Sequence, residues 1–199
     1  MARRSEHKRS ELTTMAIKAA ERIIANDGLE QMSARRIAKE IGYAPGTLYN
    51  LFEDLDELAL RVNARTLDAL LRAFEEVPPC DTPRDALHAL ADSYLSFTSD
   101  NRRLWDALLT FRRNKPAPPP QWYLAHLGKL VSHVAEILTR FRPTLSEAER
   151  AYRARLIWAS IHGISSVANA GSVARSLVTP VDRMVHDLVD IHCNSLEGR

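Results

Sequence analysis

The chain is predicted to be all-α, with about nine helices, and three observations carry that prediction. Glycine is scarce, 7 in 199 residues. Runs of β-branched residues with a period of two are absent. Apolar residues recur instead at spacings of three and four along almost the whole chain. Hydrophobic residues make up 45 % and charged residues 26 %, ordinary values for a globular protein in water. The length allows one sizeable domain, or a small one joined to a larger one.

The first helix is expected over residues 10–27, where Leu12, Ala16, Ala19 and Ile23 make one buried stripe. Gly28 reads as a left-handed stop, after which Leu29 can fold back on the last turn. Ser33 is a good N-cap for a helix over 34–41 that buries Ile37, Ala38 and Ile41. Arg36 stands where a capping box would need Glu or Gln. Gly42 ends that helix, and Pro45 suits the first turn of a third, to about residue 52. A fourth starts near Asp54 and Asp56, acids suited to the positive end of a helix, and continues to about 76. Pro78 and Pro79 break it; Thr82 and Pro83 open a fifth, to about 99. A sixth is expected over 101–114, with Arg102, Arg103, Arg112 and Arg113 on its surface. Residues 115–120, rich in proline, read as a stiff extended break. Helices over 121–141, 146–169 (with Gly171 beyond its end) and 180–195 complete the chain.

Net charge is only +2, but its distribution is uneven: residues 1–50 carry +3 and the remainder −1. Arg3, Arg4, Lys8 and Arg9 oppose Glu6 alone in the first ten residues. Such an arm can neutralise phosphates; a solvated tail is the alternative. The arm has no apolar core after it, so it does not read as a secretory signal. No apolar run approaches the roughly 18 residues that span a bilayer, and no membrane partner is expected. Cys80 and Cys193 read as reduced thiols of a cytoplasmic protein. No His-x-x-x-His pair, Gly-x-Ser-x-Gly motif or Gly-rich phosphate loop occurs. No metal, cofactor or catalytic site is therefore expected, and the chain does not read as an enzyme.

The informative stretch runs over residues 33–52. Two short helices meet there through a tight turn carrying Gly42, which is helix-turn-helix spacing. At 100° per residue, Pro45, Leu48, Leu51 and Phe52 share one side of the second helix. Gly46, Thr47 and Asn50 fall on the other, with Tyr49 at the border. Thr and Asn on such a face can reach base edges in a major groove, and Gly46 permits close approach of the backbone. Tyr49 can bring its hydroxyl to a phosphate while its ring packs.

With Ile37-Ala38, Gly42, Gly46-Thr47-Leu48-Tyr49, Phe52 and Leu58 in these places, the segment from about Glu11 to Leu58 resembles the DNA-binding domain of the TetR family. The resemblance implies a homodimer that binds double-stranded operator DNA through residues 1–53. Arg4, Ser33, Arg35, Ala44, Pro45, Gly46, Thr47, Tyr49 and Asn50 would lie at the DNA. Two departures stand out. Ala44 occupies a place where the family usually has a Ser or Thr cap, and Leu55 a place where it usually has Lys.

Trp158, His162 and Gly163 resemble the Trp-x-x-x-His-Gly signature of one C-terminal domain type in the same family. Residues 54–199 would then bind a small-molecule effector and dimerise through the last two helices. Phe97, Trp105, Phe111, Trp122, Tyr123, Trp158 and His162 are the candidate lining for an apolar or aromatic effector. A packed core with a satisfied histidine is the alternative reading of the same residues. Ile157, Ile161 and Ile164 with Val181, Val185 and Leu188 are the expected dimer stripes. The function implied is a transcriptional repressor released from a palindromic operator by its effector, with the fourth helix as lever. A ligand-independent DNA binder and an all-α small-molecule enzyme are its rivals.

Overall fold

Each stretch in which apolar residues recur at three and four forms a helix in the computed structural model. It describes residues 8–114, 118–169, 176–178 and 180–198. Among them are nine α-helices and no strand: α1 Arg9–Asp27, α2 Ala34–Ile41, α3 Gly46–Leu51, α4 Leu55–Glu75, α5 Pro83–Asp100, α6 Arg102–Thr110, α7 Gln121–Phe141, α8 Glu147–Asn169 and α9 Val181–Glu197. The all-α expectation holds. Arg3, Arg4 and Gly171 lie outside the described residues.

The chain forms two compact units. One holds the described residues up to Asp68 together with Asp100–Leu124; the other holds Ala69–Ser99 and the described residues from Ala125 onward. In the first, Ala16, Ala19, Ala20, Ile23 and Ile24 of α1 pack with Ile37, Ala38 and Ile41 of α2, Leu48 and Phe52, and Leu58 and Val62 of α4. Ala107 of α6 is buried in the same cluster, and Leu104 packs against it. This core therefore closes only with a helix about fifty residues further along the sequence than the motif it supports.

Two turns orient its helices. Gly42 is left-handed (φ 78°, ψ 26°). Behind it Tyr43 N–H donates to the Ala38 carbonyl at 2.9 Å and Gly42 N–H to that of Lys39 at 3.3 Å. That is the paired hydrogen bonding by which a helix end satisfies its last carbonyls. Gly28 also has positive φ, but with ψ at 166°. It ends α1 in an extended backbone bend and not in the left-handed helical conformation expected from the sequence. Leu29 does fold back onto the core.

The sixth helix stops at Thr110, four residues short of the expected end. Phe111 turns extended, and Asn114 is drawn away to bond Asp56. Arg112 and Arg113 thus lie beyond the helix, not on its surface. Arg112 Nη1 donates to the carbonyls of Leu109 and Phe111, closing the helix end, and Arg113 Nη1 donates to that of Pro118.

In the second unit α9 buries Val185, Val189, Cys193 and Leu196 in one stripe, and α8 buries Ala154, Ile157 and Ile161. Burial pushes the Cys193 thiol up to about 11. Ile157, Ile161 and Val185 were expected on the dimer stripes; the chain itself covers them. The apolar residues left exposed on these helices are others: Tyr152, Leu156, Trp158, Val167 and Ile191. Periodicity identifies an apolar face but not which neighbour covers it.

A row of polar contacts joins α5 to α9. Arg84, His88 and Asp92, four residues apart on α5, meet Asn194, Asp190 and His186 in turn. Arg84 also pairs with Asp190 and Glu197. His88 and then Arg84 hold the Asp190 carboxyl below the usual carboxylate range. The rings of His88 and His186 meet edge to face at 4.8 Å.

Candidate nucleic-acid interface

The Ser33 hydroxyl accepts the N–H of Arg36 at 3.3 Å, the N-cap its sequence position called for. The side chain of Arg36 is spent on Asp27 of α1. Arg22 pairs with Glu40, and Arg65 with Glu21. These three arginines tie the helices of the unit to one another. Arg35 and Lys39, four apart on α2 and so on one face, are exposed and pair with no acid among the described residues. Arg35 was singled out from the sequence; Lys39 was not, although its spacing from Arg35 is the signal.

The next helix begins without a side-chain cap, as Ala44 implied. Its first turn closes through backbone alone, Thr47 N–H on the Ala44 carbonyl at 2.9 Å and Leu48 N–H on that of Pro45 at 3.1 Å. Leu48 and Phe52 face inward and are buried. Ala44, Pro45, Gly46, Tyr49 and Asn50 are exposed, and Thr47 is half-buried at their margin. Ser33, the N-cap of α2, and Arg35 in its first turn are exposed as well, and so is Pro45, which the helical wheel had set on the buried side. Tyr49 is 59 % exposed, so its ring stands in solvent and not at the border of the core. A six-residue helix with hydroxyl, amide and phenol groups on its free side can present them to base edges and phosphates. Leu55, where a lysine was missed, is half-buried against the core.

The seven aromatic and histidine candidates for an effector site divide between the units. Trp105, Phe111, Trp122 and Tyr123 belong to the first, Phe97, Trp158 and His162 to the second. Trp105 and Tyr123 are buried, and burial raises the Tyr123 phenol. Trp122 meets Tyr123 edge to face at 5.9 Å. In the second unit Trp158 stacks on His162, centroids 5.2 Å apart and planes 5° from parallel. Tyr94 Oη lies 2.8 Å from His162 Nδ1 and Ser166 Oγ 2.9 Å from Nε2. Burial lowers the imidazole pKa. Both ring nitrogens are thus engaged by the chain's own hydroxyls, while Trp158 remains 41 % exposed. Tyr94 and Ser166 were not foreseen as partners of His162; Ser166 lies four residues on along the same helix face.

Among the described residues no group of three or more His, Cys, Asp or Glu side chains could hold a metal ion. No helix among them is long and apolar enough to cross a membrane.

Comparison with known proteins matches residues 16–62 to the N-terminal family model described as bacterial regulatory proteins, tetR family. Residues 87–192, more than half of the chain, match the model described as Tetracyclin repressor-like, C-terminal domain. HTH-type transcriptional regulators of Staphylococcus aureus are 33 % identical over 86 residues, 43 % of this chain and 46 % of theirs. The chain thus spans about half the length of the curated relatives it matches. A protein of unknown function from Rhodococcus sp. RHA1 superposes with a TM-score of 0.70 at 26 % identity, covering 97 % of this chain and 98 % of that one. The transcriptional regulator FadR from Bacillus subtilis, solved in complex with stearoyl-CoA, shares the fold with a TM-score of 0.66 at 15 % identity, covering 90 % and 97 %. With the helix-turn-helix and the C-terminal half both matched, the chain belongs to the TetR family of bacterial regulatory proteins.

Proposed function

We propose that the chain is a cytoplasmic, homodimeric repressor of transcription, and not an enzyme. In this reading it binds a near-palindromic operator and is released by a small apolar effector. The observation that carries the reading is the exposed face of α3, with Thr47, Tyr49 and Asn50 raised on the buried Leu48 and Phe52. Arg35 and Lys39, which pair with no acid among the described residues, supply charge for phosphates. Arg4, with the rest of the basic arm, adds phosphate contacts in the same reading.

A symmetric dimer offers two such faces, hence two half-sites. Its interface is assigned to the outer stripe of the last two helices. On α8, Tyr152, Leu156, Ala159, Gly163 and Val167 are exposed and recur at four, three, four and four; Met184, Leu188 and Ile191 recur at four and three on α9. A β-carbon added at Gly163 would meet nothing within 4 Å in this chain, which leaves room for a partner's helix. Effector and operator then act through linkage: a ligand that prefers another spacing of the two reading helices weakens DNA binding, and the effect is reciprocal. The lining is assigned within the second unit, to Phe97, Trp158 and His162. The apolar character assigned to the effector rests on these rings.

Selection from random duplexes is expected to enrich an inverted repeat. Thr47→Ala and Tyr49→Ala should each lower affinity for it about tenfold with melting temperature unchanged. Failure to enrich an inverted repeat would overturn the reading.

Leu156→Glu is expected to raise the dimer dissociation constant about a hundredfold or more, by placing a charge in the interface. A stable micromolar monomer of the parent in sedimentation, or an unaffected dimer of the variant, would contradict the assigned face.

A chemically diverse ligand set should release the operator with apolar compounds, and Trp158→Ala or His162→Ala should blunt that response. Release by highly charged compounds alone, or parental response from both variants, removes the assigned lining.

A further inference from the structure

Asp56 lies in the first turn of α4, four residues past Phe52, and is only 5 % exposed. A buried carboxylate is costly unless its oxygens are hydrogen-bonded. Here one residue takes both. The backbone N–H of Asn114 donates to Oδ2 and its Nδ2 to Oδ1, each at 2.7 Å. Two bonds to one carboxylate fix orientation as well as distance. Asn114 sits 58 positions further on, in the bend that follows α6. The far end of that connection is tied to α4 as well: the guanidinium of Arg61 lies 5.1 Å over the Trp122 ring at the start of α7, braced by Glu57 at 2.6 Å.

The amino end of α4 is otherwise filled by the chain's own acids. Asp54 accepts the Glu57 N–H at 2.9 Å, and Glu57 accepts that of Glu53 at 2.7 Å. Negative side chains occupy the place where a helix would draw a phosphate, and Leu55 turns into the core. The amino end of α4 is thus capped from within the chain.

We propose that the Asp56–Asn114 pair is a latch that sets the α3–α4 corner, and with it the reading face, in its DNA-binding arrangement. Asn114 is then a positioning residue for DNA binding that touches no DNA. The proposal rests on the DNA-binding reading above.

The test compares the parent with Asn114→Ala, Asp56→Asn and the exchange variant Asp56→Asn/Asn114→Asp. Asn at 56 can accept the N–H of residue 114 and donate to an Asp there, so the exchange rebuilds both bonds. Affinities are measured for the duplex enriched by selection and for random-sequence duplex, across salt. Asn114→Ala is expected to bind the enriched duplex about tenfold more weakly, with random-duplex affinity and salt slope unchanged, and the exchange variant to recover most of the loss. Parental affinity in Asn114→Ala overturns the latch alone. A parent that enriches no duplex overturns the DNA-binding reading and the latch with it. Should Asn114→Ala fail to fold, the exchange variant decides: near-parental affinity upholds the latch, and affinity as low as that of Asp56→Asn overturns it.

Discussion

Burial of Leu48 and Phe52 beneath α3 is the interaction on which the rest depends. Six residues are too few for a helix to persist in water by hydrogen bonding alone. α3 exists because its inner side chains fill a hollow made by α1, α2 and the start of α4, while its polar outer residues are left exposed among the described residues. The left-handed Gly42 sets the angle at which α2 hands the chain to α3. A residue with a β-carbon at that φ would strain the turn and tilt the polar face with it.

Charge in this unit is divided by the same packing. Arg22, Arg36 and Arg65 spend their guanidinium groups on acids of neighbouring helices. Exposed pairs of this kind contribute little to stability, but they remove three cations from the free surface. What remains on α2 is Arg35 and Lys39. The acids that crowd the amino end of α4 cap and position that helix instead of meeting phosphate. The site is thus polar where α3 presents itself and cationic beside it.

The helices were legible because period and punctuation agreed: the stripes of α1 and α2, the Ser33 cap and the stop at Gly42 are local signals. The outer face of α3 was legible from a helical wheel. What escaped was set by residues far apart in the chain. The early end of α6 follows from Asn114 reaching Asp56, a pairing with no local signature. That Ala107 would close the core of a motif near the N-terminus could not be read from its own helix. On α8, apolar and small residues lie on more than one face, so the period alone could not separate Ile157 and Ile161, buried within the chain, from Leu156 and Val167, which are exposed. The partners of His162 required Tyr94 on α5 to come alongside α8.

The claim beneath all of this is that one core, closed by α6, holds the reading helix in place. Hydrogen exchange of the amides of α1–α3 in the parent and in Ala107→Asp tests it most directly. A charge at this buried position costs several kcal/mol, about 3 or more. The expected result is loss of protection throughout α1, α2 and α3, with protection of α8 and α9 retained. Unchanged protection in α1–α3 would show that the helix-turn-helix stands without α6, and would contradict the account.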